Sequence, residues 1–149
     1  MIISLATSPE DQASVKEVFK AFIEFLPIDM AFQGIDDELA AFPKAFVCLL
    51  IAKQGGKPIG AVGLKEHSAD VCEMKRLYVL PEGQGTGAGR ALCEQLLIDA
   101  KAAGYKTILL DSLRRLKPAI NLYEKLGFEE TEPYNLNLEE DVVYMRRDL

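Results

Sequence analysis

The sequence predicts an α/β chain of the α+β type, with helices packed on one mostly antiparallel sheet. Three observations carry this. Val15, Val18, Phe19, Phe22, Ile23 and Leu26 recur at three- and four-residue steps, the apolar stripe of a surface helix. The segments "FVCLLIAK" and "PIGAVGLK" are of strand length and flank the turn "QGGK", so they read as an antiparallel hairpin. The continuous apolar run "TILLDS" then follows one helical stretch and precedes another.

In chain order, Ile2 to Leu5 is a short first strand. Ser8-Pro9-Glu10-Asp11 starts the striped helix: serine caps free N–H groups, proline suits the first position, and acids favour the positive end of the dipole. That helix ends near Pro27, and a shorter one is expected at about Asp36 to Ala41. After the hairpin, a turn around His67 to Asp70 leads into "VCEMKRLYVL". There Cys72, Met74, Arg76, Tyr78 and Leu80 alternate with Val71, Glu73, Lys75, Leu77 and Val79, so neither face is purely apolar. A central strand with one face on a helix and one on a site fits that mixture. Gly87 to Ala103 reads as a helix, with Leu92, Leu96, Leu97 and Ala100 on one side and Gly104 as its stop. "PAINLYEKL" is a short helix begun at Pro118 and ended by Gly127, and two strands close the chain. The expected order is β-α-α-β-β-β-α-β-α-β-β.

The 149 residues suit one domain with a single core, expected to span 1–149. With 49% hydrophobic and 27% charged residues the chain is of ordinary globular type. Its 17 basic and 23 acidic residues give a net charge of -6, without a long Lys/Arg block, which argues against nucleic acid or an anionic membrane as partner. "MIISLATSPED" lacks the basic and apolar regions of a signal peptide, so a cytoplasmic protein is expected. Cys48, Cys72 and Cys93 are odd in number, widely spaced and set among apolar residues, as reduced buried thiols are. His67 is the sole histidine, so a zinc site of the usual spacing is not expected.

"PEGQGTGAGRAL", Pro81 to Leu92, places four glycines before a helix start. Unpaired N–H groups at the positive end of a helix bind phosphate, and glycines let the backbone approach it. A Walker loop would need Gly-Lys-Ser/Thr after the glycines, which is absent. A dinucleotide fingerprint can be laid on Gly83-Gln84-Gly85-Thr86-Gly87-Ala88, but no acid stands about 20 residues on. The third reading takes Gln84, Gly87 and Gly89 as Q-x-x-G-x-G between a strand and a helix.

On that motif the sequence resembles the GCN5-related N-acetyltransferase (GNAT) family. Two further segments carry the likeness: Ala119-Ile120-Asn121-Leu122-Tyr123-Glu124-Lys125-Leu126-Gly127-Phe128, and "CEMKRLYVLPE" before the loop. It extends over about residues 46 to 147, and over the first 45 only in element order. The resemblance implies a GNAT-like mixed sheet of six or seven strands, mostly antiparallel, flanked by about four helices, with a splayed central strand pair. It further implies acetyl-coenzyme A as cosubstrate, without a metal. Gln84, Gly85, Thr86, Gly87, Ala88, Gly89 and Arg90 would wrap its pyrophosphate. The backbone of Leu77, Tyr78 and Val79 would pair with the pantetheine arm, and Asn121 would also serve the coenzyme. Arg90 is the only basic side chain in this cradle; Arg114, Arg115 and Lys117 are either a second set of phosphate ligands or a solvated patch.

Amine acetylation needs an uncharged nitrogen and a proton for the departing thiolate, and amines and thiols have pKa values of about 10.4 and about 8.5. By the resemblance, Glu73 is the candidate base; its plain alternative is a strand residue paired with a lysine. Tyr123 is the candidate acid, its alternative being core packing. For the acceptor, Asp29 and Phe32 within "EFLPIDMAFQGIDDELAAFP", and Tyr134 in "EPYNLN", are the candidate pocket residues. The expected partner is a small-molecule or peptide amine, and a homodimer is an allowed assembly. The expected activity is direct acetyl transfer in a ternary complex; a coenzyme A-binding sensor without turnover is the alternative.

Overall fold

A computed structural model describes residues 1–26, 41–136 and 139–149. Its elements are β1 (Ile2–Leu5), α1 (Pro9–Phe25), β2 (Cys48–Gln54), β3 (Lys57–Glu66), β4 (Val71–Val79), a 3-10 turn (Pro81–Gly83), α2 (Ala88–Ala102), β5 (Thr107–Leu113), α3 (Lys117–Lys125), β6 (Glu129–Glu130) and β7 (Val142–Asp148). Among the described residues the elements follow the expected order; the short helix expected at Asp36 to Ala41 lies outside them, apart from Ala41. Three α-helices and seven strands are present among the described residues.

The strands form one sheet in the order β1-β2-β3-β4-β5-β7-β6. Every pairing is antiparallel except β4 with β5. Helix α1 packs against β3 and β4 and starts where the sequence places it: Ser8 Oγ accepts the Asp11 N–H at 3.1 Å, and Pro9 is the first helical residue. Its Val15, Val18 and Phe19 enter a core with Leu49, Ile51 and Ala61. On the opposite face α2 contributes Leu92, Cys93, Leu96 and Ala100 to a larger core with Leu50, Val62, Leu64, Ile108 and Met145. The two cores take alternate residues of β2 and β3, as a sheet covered on both faces requires.

Strand β4 departs from simple alternation. Ala61 pairs with Tyr78 and Gly63 with Lys75, so Arg76 and Leu77 together oppose Val62, a bulge with Arg76 at φ 60°. Before the bulge Cys72 and Met74 face the α2 core; after it Leu77 and Val79 do, while Tyr78 and Leu80 join the α1 core. The apparent mixture of polar and apolar residues on both faces comes from this one extra residue. The α2 side of β4 is in fact apolar throughout.

Beside the bulge the sheet forks. Strands β4 and β5 pair at Val71 with Thr107, Cys72 with Ile108 and Glu73 with Leu109, and no further, whereas β5 stays paired with β7 up to Leu113. This is the expected splayed pair, and it leaves the β5-facing edge of β4 beyond Glu73 outside any ladder.

Candidate active site

The forked strands enclose a cavity of about 80 Å³, lined by Met74, Lys75, Arg76 and Leu77 of β4, and by Leu110, Asp111, Ser112 and Leu113 of β5. Phe22 of α1 and Leu26 just beyond its end close one side, and Leu116, Ala119 and Tyr123 close another. Strand edge, helix end and tyrosine therefore meet at one opening.

The glycine loop lies at the far end of β4. Gly83 ends the 3-10 turn, and Gly85 and Gly87 take φ of 83° and 84°, left-handed values that glycine adopts without strain. A Cβ added at either would meet nothing within 4 Å, so the loop presents bare backbone outward. Thr86 does not extend into that space: its hydroxyl donates to the Gly83 carbonyl at 2.5 Å and accepts the Ala88 N–H at 3.3 Å. Among the described residues, the N–H groups of Gly85, Gly87, Gly89 and Arg90 find no protein acceptor, as the first donors of an uncapped helix should not. The loop is an anion cradle in form. Gln84 is exposed, and Arg90 is exposed and paired with Glu94, Nε to Oε1, at 2.7 Å. The cradle's one basic side chain thus already has a partner.

Leu77, Tyr78 and Val79 carry their side chains into the two cores. Tyr78 stacks on Phe22 and Phe25 at 5.4 and 5.5 Å. What these residues can offer a ligand in the fork is backbone. Asn121 lies exposed on α3, with no hydrogen bond to a described residue.

Tyr123 is 7% exposed, meets Phe128 edge-on at 5.9 Å, and borders the cavity. Its hydroxyl makes no hydrogen bond among the described residues. Burial, reinforced by Cys93 and Asp111, pushes the phenol well above its ordinary range, so it carries its proton at neutral pH.

Glu73 is 9% exposed and stands at the last paired position before the fork. Tyr134 Oη donates to its Oε2 at 2.6 Å, and Lys75 Nζ lies 3.4 Å from the same oxygen. Glu73 therefore has a lysine partner and sits beside the opening. It does not itself line the cavity, whereas Met74 and Lys75 do. Tyr134 is thus engaged with Glu73, a contact across 61 positions that no local pattern signals. Asp29 and Phe32 lie outside the described residues.

The remaining polar candidates have other partners or surroundings. Arg114 pairs with Glu130 at 2.5 Å, and Arg115 with Asp141 at 2.8 Å and Glu139 at 2.9 Å. His67 is exposed and meets the Tyr134 ring edge-on at 5.5 Å. The cysteines are unpaired with one another; burial pushes Cys72 and Cys93 up to about 12 and the half-buried Cys48 up to about 11, so none is an activated thiolate. Among the described residues, no group of three His, Cys, Asp or Glu is placed to hold a metal ion, and no helix is long and apolar enough to cross a membrane.

A sheet forked beside a glycine-rich helix start is the frame of an acyl-coenzyme A-dependent acetyltransferase, and comparison with known proteins agrees. The chain belongs to the Acetyltransferase (GNAT) family, whose model matches residues 12–128. It is 34% identical over 153 residues to an uncharacterised N-acetyltransferase of Schizosaccharomyces pombe, covering 99% of this chain and 94% of that one. In structure it resembles an acetyltransferase from Streptococcus agalactiae, with TM-score 0.79 at 19% identity over 99% of this chain and 98% of that one. It also resembles a Salmonella typhimurium protein solved with its cofactor acetyl-CoA, with TM-score 0.74 at 21% identity over 99% and 93% of the two chains.

Proposed function

We propose that this protein is a single-domain N-acetyltransferase that moves an acetyl group from acetyl-CoA to a primary amine of a small molecule or peptide. The carrying observation is a surface that follows β4 outside its ladder with β5. It runs from the N–H groups at the head of α2 that meet no acceptor among the described residues, along the unladdered edge of β4, to the cavity beside Tyr123. The residues fit the cosubstrate. Backbone N–H groups of Gly85, Gly87, Gly89 and Arg90 would hold a pyrophosphate by hydrogen bonds and helix dipole, more than by side-chain charge. The β4 backbone at Leu77, Tyr78 and Val79 would hold the pantetheine arm as a strand is held. Bound there, acetyl-CoA supplies an acetyl thioester open to direct attack by the acceptor amine.

The chain's own work is to move two protons and exclude water. Glu73 takes the proton that the amine must lose, directly or through an intervening water. Tyr123 Oη, kept protonated by burial, holds a proton for the sulfur that departs. Asn121 is proposed as a coenzyme contact, and Asp29, Phe32 and Tyr134 as neighbours of the acceptor. A coenzyme A-binding sensor without turnover is the second reading, and the Arg90 pairing with Glu94 is the observation on its side.

Thermal shift with acetyl-CoA, coenzyme A and NAD, followed by thiol release against an amine panel, decides between them. Stabilisation by the two coenzyme A species with thiol release from at least one amine is expected. Stabilisation without release from any amine selects the sensor, and stabilisation by NAD alone rejects both.

A further inference from the structure

Glu73 has two oxygens, and the described residues engage one. Tyr134 Oη and Lys75 Nζ, from the β6–β7 loop and from β4, converge on Oε2. No described residue donates to Oε1. The loop that supplies Tyr134 is itself docked across three strands. Asn135 Nδ2 donates to Asp111 Oδ2 of β5 at 2.9 Å, and Tyr144 Oη of β7 donates to Asn135 Oδ1 at 3.0 Å. The Tyr134 ring is held edge-on between Tyr144 at 5.2 Å and His67 at 5.5 Å. So many contacts fix the phenol that its hydroxyl can act as a stationary donor.

We propose that Tyr134 is a positioning residue for Glu73: with Lys75 it binds Oε2, fixes the carboxylate plane, and leaves Oε1 as the atom that receives the acceptor's proton. This rests on the reading of Glu73 as base and says which atom does the work and what holds it. The proton passes from the acceptor ammonium to Oε1, which frees the nitrogen lone pair to form the new C–N bond; the C–S bond of the thioester would break in exchange, and the departing thiolate would take its proton from Tyr123 Oη. Other charged or titratable groups stand near this corner among the described residues. Lys65, the register partner of Glu73 on β3, extends over the Phe46 ring at 5.1 Å; Asp111 accepts from Asn135; Tyr144 is bonded to Asn135; His67 stands beyond the Tyr134 ring. Burial, then Asp111 and Glu73, pushes the Tyr134 phenol far above its ordinary range, so it remains a donor throughout.

The test is steady-state kinetics of the full chain beside the Glu73 carboxyl-carbon NMR signal at one fixed pH, assigned by its loss in Glu73→Gln. Tyr134→Phe keeps the stacked ring and removes only the donor; Lys75→Met removes the cation. Each takes away a charge-assisted partner of Oε2, so each should displace that signal. Thiol release from acetyl-CoA should fall at least tenfold in Tyr134→Phe through kcat, with KM for acetyl-CoA unchanged. A signal unmoved in both variants would overturn the proposal, as would full turnover in Tyr134→Phe. Full turnover in Glu73→Gln would instead remove the base reading, while the NMR signal still reports whether Tyr134 and Lys75 hold the carboxylate.

Discussion

Gly83→Ala is expected to unfold the protein several degrees early, although it lies in a loop that reads as mere flexibility. A Cβ at position 83 would stand 2.7 Å from Ile59 Cβ, 3.0 Å from the Ile59 carbonyl and 3.0 Å from Val79 Cγ1. Ordinary contact begins near 3.4 Å, so the turn or β3 must yield by about 0.7 Å. Neither is free to do so. Ile59 is 4% exposed in the larger core, and its carbonyl accepts the Leu80 N–H at 2.8 Å, one residue before the turn. Overpacking of this kind costs about 1–3 kcal/mol, which for a chain of this size is a Tm lower by roughly 3–12 °C. Gly85→Ala is the control. Its Cβ meets nothing, so its penalty is the left-handed φ of 83° alone, about 1–2 kcal/mol; its methyl would instead stand on the open face of the cradle and weaken coenzyme A. Differential scanning fluorimetry gives both Tm values, and isothermal titration with coenzyme A gives the affinities. A Gly83→Ala protein as stable as the parent would refute the packing reasoning, because it would mean that Ile59 and the turn move freely.

Three further outcomes follow from the site and the core. Tyr123→Phe should keep its Tm within about 1–2 °C, since the hydroxyl lost has no partner among the described residues, while thiol release drops about a hundredfold; unchanged turnover would remove the acid role. Arg90→Ala, which breaks an exposed pair with Glu94, should leave urea stability within about 0.5 kcal/mol and weaken coenzyme A only a few-fold, and a loss beyond a hundredfold would show that side-chain charge governs the cradle. Stability should fall as pH rises: the folded Cys72 and Cys93 thiols are pushed up to about 12 and keep protons that an unfolded thiol, with pKa about 8.5, has already released. This contribution is whole below about pH 8.5 and is lost progressively towards pH 12, so urea midpoints at pH 7.5, 9 and 10 should descend, and less steeply in Cys93→Ala.

Much of this was legible in the chain because its signals are local. Ser8-Pro9 starts α1 by capping chemistry that needs only four residues, and the stripe from Val15 to Phe19 faces the core it predicts. Gly104 and Gly127, at φ of 97° and 91°, end α2 and α3 where glycine permits a left-handed stop. The cradle is readable for the same reason, since bare backbone at a helix start is written as glycine. The rest depends on contacts between distant positions or on backbone states without a residue signature. Tyr134 meets Glu73 only because the β6–β7 loop folds back across the fork. Arg114 and Arg115 form a basic patch in sequence and a set of ion pairs in space, because Glu130, Glu139 and Asp141 arrive from later in the chain. The bulge escaped because arginine is an unusual occupant of φ 60°, where glycine would have announced it.

That bulge has a simple counterfactual. Omit Arg76 from "CEMKRLYVL" and what remains, Cys-Glu-Met-Lys-Leu-Tyr-Val-Leu, alternates without a fault, each side chain on the face it already occupies. Neither core requires the arginine for its pattern. What the insertion adds is a local bend and stronger twist, three residues past the last rung that joins β4 to β5. A single supernumerary residue thus stands beside the place where a seven-stranded sheet unzips.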